Sequence, residues 1–234
     1  MPPAHIALTE NEILSRVLYR DAMMLVIDKP AGIAVHVTGH DKIALDQSFP
    51  YLQYGLPNPP ALAHRLDRDT SGCLVLGRHR QALIKLGKLF EQQKIDKKYL
   101  AVVLGVPAAL EGTIDRAILK SGYNSKWKLT LDDEGQPAVT DYRQLATNGA
   151  LSLIEFSPRT GRTHQIRLHA AFALGCPVVG DPFYGPEDGA YSAKQQAMML
   201  HAKSIAVPLY ASKDAIYVEA PIPAPMQELI SFIG

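Results

Sequence analysis

The chain has 234 residues, 47% of them hydrophobic and 20% charged, with a net charge of +1. This is the composition of one large domain or two small ones around a real core, and it argues against long disorder. The near-neutral balance also argues against a globally basic nucleic-acid binder, so any phosphate contacts need a local patch. No apolar run reaches the ~20 residues of a membrane span. The opening MPPAHIALTENE lacks the cationic start and apolar stretch of a signal peptide. Cys73 and Cys176 sit singly among apolar neighbours, with no CxxC pair. A cytoplasmic chain without disulfides is expected.

Residues 1–11 read as a tail, followed by a single domain over 12–234. Met23 to Ile27 is a short apolar run ended by Asp28-Lys29-Pro30-Ala31-Gly32, a strand entering a turn. Ile33 to Val37 reads as a second strand. Residues 41–62, with four prolines between Pro50 and Pro60, read as a loop-rich link holding one helical piece. From Gln81 to Gln93, Leu83, Leu86 and Phe90 recur at helical spacing while Lys85, Lys88 and Glu91 face elsewhere. Leu100 to Gly105 is a buried strand. Residues 112–146 alternate turn signals with short strands, and Leu151 to Phe156 is another strand. Thr163 is placed to cap a helix from about His164 to Leu174, with Gly175 and Pro177 ending it. Short apolar stretches then alternate with prolines to the end. Many strands and three or four helices without βαβ alternation predict an α+β fold. Its centre is a large, mainly antiparallel mixed sheet flanked by helices and loops.

Three segments carry chemistry. AHRLDRDTSG (Ala63 to Gly72) sets Asp67 between Arg65 and Arg68, where nearby cations favour an ionised carboxylate. Thr70-Ser71-Gly72 reads as the turn that fixes it. Such an Asp can be a nucleophile, a general base or a metal ligand, or simply part of a surface ion-pair cluster. The second segment, PRTGRTHQIRLH (Pro158 to His169), places Arg159, Arg162 and Arg167 around a turn at a helix start. His164 and Arg167, three apart, would share a helical face. The plainer reading is a helix end with solvated cations. The third is Tyr99, on a strand face shared with Lys97. It is either a phenol near a cation or an ordinary strand tyrosine. HExxH, paired cysteines, GxGxxG, a P-loop and GxSxG are all missing.

Taken together and in order, these segments resemble the three motifs of the RluA family of pseudouridine synthases. The matches are HRLDRDTSG (His64 to Gly72), Lys98-Tyr99 in KKYLAVVLG, and GRTHQIRLH (Gly161 to His169). DKPAGIAVH, QPAVTDYR, GDPFYG and LHA resemble that family's flanking stretches. The resemblance implies the pseudouridine synthase catalytic fold and an isomerase of uridine in ribosomal or transfer RNA. It implies no metal and no organic cofactor, and a compact monomer without a preceding small RNA-binding domain.

The site residues follow from the same resemblance. Asp67 would start cleavage of the glycosidic bond, by attack at the sugar or through a glycal. Tyr99 would stack on the base and Arg167 would pair with Asp67. Ile166 would wall the uracil pocket, and Arg65 would fill the space of the flipped nucleotide. His64, Arg162 and His164 would contact substrate. A base in an RNA helix must be extruded to react, and Arg65, Arg68, Arg78, Arg159 and Arg162 would give the pocket a basic mouth. Asp28 and Val37 stand where the family usually has asparagine and proline, and Arg68-Asp69 leaves the RNA substrate open. The competing readings are a non-catalytic RNA chaperone or assembly factor on the same fold, and a metal-dependent nuclease using Asp67, Asp69 and histidines.

Overall fold

The structure, a computed structural model, describes residues 8–37, 43–122 and 128–234. Residues 1–7 of the expected tail and 41–42 of the expected link lie outside these. In chain order the first elements are α1 (Glu10–Leu14), β1 (Val17–Arg20), β2 (Met24–Lys29), a 3-10 helix (Leu45–Leu52), β3 (Ala61–Leu62), β4 (Ser71–Gly77) and α2 (Arg80–Glu91). Next come β5 (Asp96–Leu104), β6 (Glu111–Asp115), β7 (Ile118–Ser121), β8 (Lys128–Leu131), β9 (Val139–Thr147) and β10 (Leu151–Pro158). The chain closes with α3 (Gln165–Leu168), a π-helical turn (His169–Ala173), β11 (Leu200–Val207), β12 (Ile216–Glu219) and α4 (Ala224–Ile233).

The chain divides into two compact units, Met1–Asp96 with Ala202–Pro221, and Lys97–His201 with Ile222–Gly234. In the first, β1, β2, β4 and β11 lie side by side in that order, with β3 on β4 and β12 on β11. The pairings of β2 with β1 and with β4, of β3 with β4 and of β11 with β12 are all antiparallel. β4 is buried along its whole length, so its apolar run is continuous rather than alternating. Helix α2 packs Leu86 into a cluster with Met24, Val26, Val75, Ile205 and Val207. In the second unit β5, β10, β9 and β6 follow one another, again antiparallel, and β7 and β8 form a separate hairpin. The α+β class with a mostly antiparallel sheet is the one the sequence predicts.

Four local expectations need correction. Residues 10 and 11 are helical, not tail, because Thr9 and Glu12 form a capping box at the start of α1. Ile33 to Val37 is not a strand: Pro30 and Gly32 (φ +84°) turn the chain, and the one bridge this stretch makes among the described residues is the isolated one between Ala34 and Ala44. The Pro-rich end contains a helix, α4. Pro223 and Pro225 sit at its start, where a missing N–H costs nothing, and Met226 and Ile233 bury themselves beside Leu100 and Val102. Thr163 does not cap α3. That position belongs to His164, in the left-handed region at φ +56°. Gly175 does follow the helical segment in a left-handed conformation (φ +67°), as expected.

Cys73 on β4 and Cys176 are both free and buried. Burial pushes the Cys73 thiol up to about 12 and also raises that of Cys176. Among the described residues no helix is long and apolar enough to cross a membrane.

Candidate active site

The Asp67 loop belongs to the first unit and is held from three directions. On its entry side the chain runs from β3 alongside β4. Ala63 N–H donates to the Val75 carbonyl at 3.1 Å, and Val75 N–H then donates to Nε2 of His64 at 2.9 Å. The imidazole thus replaces a backbone carbonyl at the end of the ladder. An accepting Nε2 means a neutral ring with its proton on Nδ1. One ring face stacks on Phe90 of α2, with centroids 4.6 Å apart. Leu66 is buried while Arg65 and Arg68 are exposed, and Asp67 lies between these extremes.

From below, the loop is held by Lys29. Its side chain is fully buried, and Nζ donates to the carbonyls of Pro30, Arg68 and Thr70, each at 2.8 Å. Three acceptors use all three protons of an ammonium. Burial lowers the Lys29 pKa to about 7, and Asp69, Asp67 and Asp28 oppose that shift. Gly32 N–H adds a bond to the Arg68 carbonyl, and Thr70 N–H closes a turn on the Asp67 carbonyl. The turn is therefore over Arg68 and Asp69, not over Thr70-Ser71-Gly72 as expected. Ser71 and Gly72 already belong to β4. Gly72 has φ +105°, and a Cβ there would overlap the Ala202 carbonyl, so only glycine fits this strand start.

The other two motifs belong to the second unit. Tyr99 on β5 pairs with Phe156 on β10. It packs, half-buried, against the cluster that includes Ala101, Ile154, Phe156 and Ile166. Tyr99 and Ile166 thus share one apolar surface. Lys97, on the same strand face, directs Nζ at the Thr160 carbonyl, 3.4 Å away.

The loop before α3 is pinned by a neutral network. Gln165 is buried and its amide is fully used. Oε1 accepts from Thr160 Oγ1 (2.7 Å) and Arg162 N–H (2.9 Å), while Nε2 donates to the Val139 carbonyl (3.0 Å) and Thr140 Oγ1 (2.9 Å). His169, fully buried, reaches Thr140 Oγ1 through Nδ1 (2.9 Å) and the Arg116 carbonyl through Nε2 (3.0 Å). A carbonyl only accepts, so Nε2 carries the proton, Nδ1 accepts, and Thr140 donates to it. Burial keeps the His169 pKa below its ordinary value.

Arg167 makes a bidentate pair with Asp181, Nε to Oδ2 at 2.6 Å and Nη2 to Oδ1 at 2.7 Å, with both side chains buried. The same Oδ1 accepts the backbone N–H groups of Phe183 and Tyr184. His164 does not share a helical face with Arg167, being outside the helix. Both nonetheless meet Tyr184. Nδ1 of His164 lies 2.8 Å from the phenol oxygen, and the guanidinium sits 5.1 Å from the ring centre.

Most of the arginines expected at a basic mouth already have partners within their own unit. Arg159 is forked onto Asp141 (2.7 and 2.8 Å) and Arg68 onto Asp69 (3.1 and 3.2 Å). Arg78 clamps the carbonyls of Asp21 and Gln53. Arg65 and Arg162 are exposed, and Arg162 donates through Nε to the Pro137 carbonyl. Reading the sequence missed Lys29, Asp181 and the structural work of Gln165 and His169. The signal available was the pair of flanking stretches DKPAG and GDPFYG. Among the described residues no group of three or more His, Cys, Asp or Glu is placed to hold a metal.

An antiparallel α+β fold with a loop-borne carboxylate, and with an aromatic and an apolar side chain sharing one surface, defines a class. Residues 23–172 match the family model described as RNA pseudouridylate synthase, and the chain belongs to that family of isomerases. It is 43% identical over 218 residues to an uncharacterized RNA pseudouridine synthase of Zymomonas mobilis, covering 93% of this chain and 98% of that one. It is 35% identical over 222 residues to a ribosomal large subunit pseudouridine synthase C of Rickettsia prowazekii, covering 94% of this chain and 72% of the relative. The solved structure of human RNA pseudouridylate synthase domain containing 4 shares the fold, with a TM-score of 0.81 at 24% identity over 96% of this chain and 95% of that one.

Proposed function

We propose that this RNA pseudouridine synthase isomerises one uridine in a structured ribosomal or transfer RNA, with Asp67 as the group that starts the reaction. The names of the Rickettsia and Buchnera relatives favour RNA of the large ribosomal subunit. The observation that carries the assignment is the support beneath Asp67: a fully buried lysine, a glycine-only strand start and an imidazole-ended ladder converge on one short loop. So much structure around a surface ion-pair cluster would serve nothing.

The target uridine leaves its stack, since neither the sugar carbon nor the base edge is reachable within a helix. The Asp67 carboxylate acts on the ribose and the bond from C1′ to N1 breaks. The freed uracil turns, C5 bonds to C1′, the proton on C5 departs and N1 gains one, so the atoms of the base are conserved. Tyr99 offers its ring to the base, Ile166 walls the pocket, and Arg167, held in place by Asp181, is the cation proposed for the Asp67 carboxylate. Arg65, exposed on the loop, occupies the place of the departed base. Arg162 and His164 contact the RNA, while His64 is better suited to holding the motif. No cofactor takes part. The protein works as a monomer in the cytoplasm, consistent with its two free thiols.

The test is conversion of uridine to pseudouridine in a bulk RNA pool by purified protein. Asp67→Asn should abolish product while RNA binding persists; full activity in that variant overturns the role of Asp67. Pseudouridine mapping in a deletion strain should show a single lost site, and its identity names the substrate. Loss of no site, with an assembly defect that Asp67→Ala protein corrects, would replace this reading with a chaperone.

A further inference from the structure

Near the Arg167–Asp181 pair the second unit exposes aromatic side chains that none of the roles above uses. Phe172 is 60% and Phe183 69% exposed. One exposed phenylalanine is unremarkable on a protein surface, but these two are joined through the half-buried ring of Tyr184. Phe172 meets Tyr184 edge-on at 5.8 Å, and Phe183 lies 6.2 Å from it. The imidazole of His164 is 5.7 Å from Phe183, and the guanidinium of Arg167 is 5.4 Å from the same ring.

The position of Phe183 is fixed by the site itself. Oδ1 of Asp181 accepts its backbone N–H at 2.9 Å and the N–H of Tyr184 at 3.1 Å, while holding Arg167. Gly185 N–H closes the loop on the Asp181 carbonyl. An exposed aromatic ring on a fixed loop, with a cation behind it and the exposed Arg162 on the neighbouring motif, suits a flat, apolar, negatively tethered partner. Unpaired nucleotides have that chemistry. They stack on aromatic or guanidinium planes while their phosphates seek a nearby cation.

We propose that Phe183, supported by Phe172 and Tyr184, is a stacking platform for an unpaired nucleobase of the RNA other than the reacting uridine. The inference rests on the proposed RNA substrate and adds a second base-binding position to the one given to Tyr99. It also implies a preference for RNA with a loop or bulge nucleotide beside the target.

The test uses the full chain with a short unstructured oligouridylate, and with the same oligomer carrying abasic sugars. Phe183→Ala should weaken binding to the first by about 5- to 100-fold, the range of one lost stack. It should leave the abasic oligomer bound as by the wild type. Phe183→Trp should restore binding, and Phe183→Leu, which keeps apolar bulk without a flat face, should not. With bulk RNA as substrate, Phe183→Ala should raise KM far more than it lowers kcat. Equal affinity of wild type and Phe183→Ala for oligouridylate overturns the platform, as does full rescue by leucine. A shift in oligomeric state on sedimentation of Phe183→Ala would instead assign the patch to contact between copies. Failure of the wild type to make pseudouridine, with Phe183-dependent binding intact, would sink the proposed function and leave the platform standing.

Discussion

The two long motifs solve the same problem with opposite chemistry. Each must hold a polar loop still at the edge of an apolar unit. The Asp67 loop is held by a buried charge from outside the motif: Lys29, 39 and 41 residues before the carbonyls of Arg68 and Thr70 that it binds. The loop before α3 is held by neutral groups. Two of them, Gln165 and His169, come from the motif itself, and both reach Thr140 on β9. Its one buried charge, on Arg167, is matched at short range by Asp181. The difference predicts unlike sensitivities. A loop held by an ammonium should respond to base, and a loop held by a neutral imidazole to acid.

The largest effect should come from splitting the buried pair. Asp181→Asn removes the carboxylate charge that forks onto the buried Arg167 guanidinium and should cost ~3–5 kcal/mol of stability, measured by denaturant unfolding. A loss below ~1 kcal/mol would mean that Asp181 is not what holds Arg167.

Next comes Lys29. Lys29→Met should lower kcat by up to ~10²-fold through misplacement of Asp67, with a smaller change in KM. In the wild type kcat should fall as pH rises through about 7, because a neutral amine offers two protons to three carbonyls. Stability should move the other way. The folded pKa lies below the ordinary 10.5, so the folded state binds fewer protons between those values. The contribution of Lys29 is then full above 10.5 and lost as pH falls toward 7. The stability advantage of wild type over Lys29→Met should therefore widen from neutral to alkaline pH while activity declines. Parallel decline of both would break the contrast.

On the acid side, the folded pKa of His169 lies below its ordinary 6.5. Its contribution is present above that value and disappears as pH falls through the folded pKa. His169→Gln should flatten the acid limb of a stability profile, and an unchanged limb would remove His169 from the account. The smallest effect belongs to Arg159→Ala. Its fork onto Asp141 is exposed, so the midpoint of denaturant unfolding should stay close to that of the wild type.

The same contrast explains what could be read in advance. β2, β4, β5 and β10 were legible because strands buried on both faces appear as short apolar runs bounded by charge or glycine. Helix α2 was legible from its period. Ile33 to Val37 misled because an apolar run can also be buried by a turning chain. Helix α4 was hidden because two prolines at a helix start look like a loop. Of the candidate site residues, Asp67, Tyr99 and Arg167 stood out by type and order, but their supports did not. Lys29 and Asp181 are distant in sequence from what they hold, and a buried lysine reads locally as a surface cation. His64 and Gln165 were visible, yet nothing local reveals that an imidazole ends a strand ladder or that one amide makes four hydrogen bonds.

The two free cysteines acquire a use from where they lie. Cys73 is in the first compact unit and Cys176 in the second, and burial leaves each thiol protonated at neutral pH. Alkylation needs an exposed thiolate, so modification of either waits for its own unit to open. The chain thus carries a separate chemical clock in each half. Mass spectrometry of reagent uptake at the two positions can time the opening of the Asp67 unit against that of the Arg167 unit, without any added label.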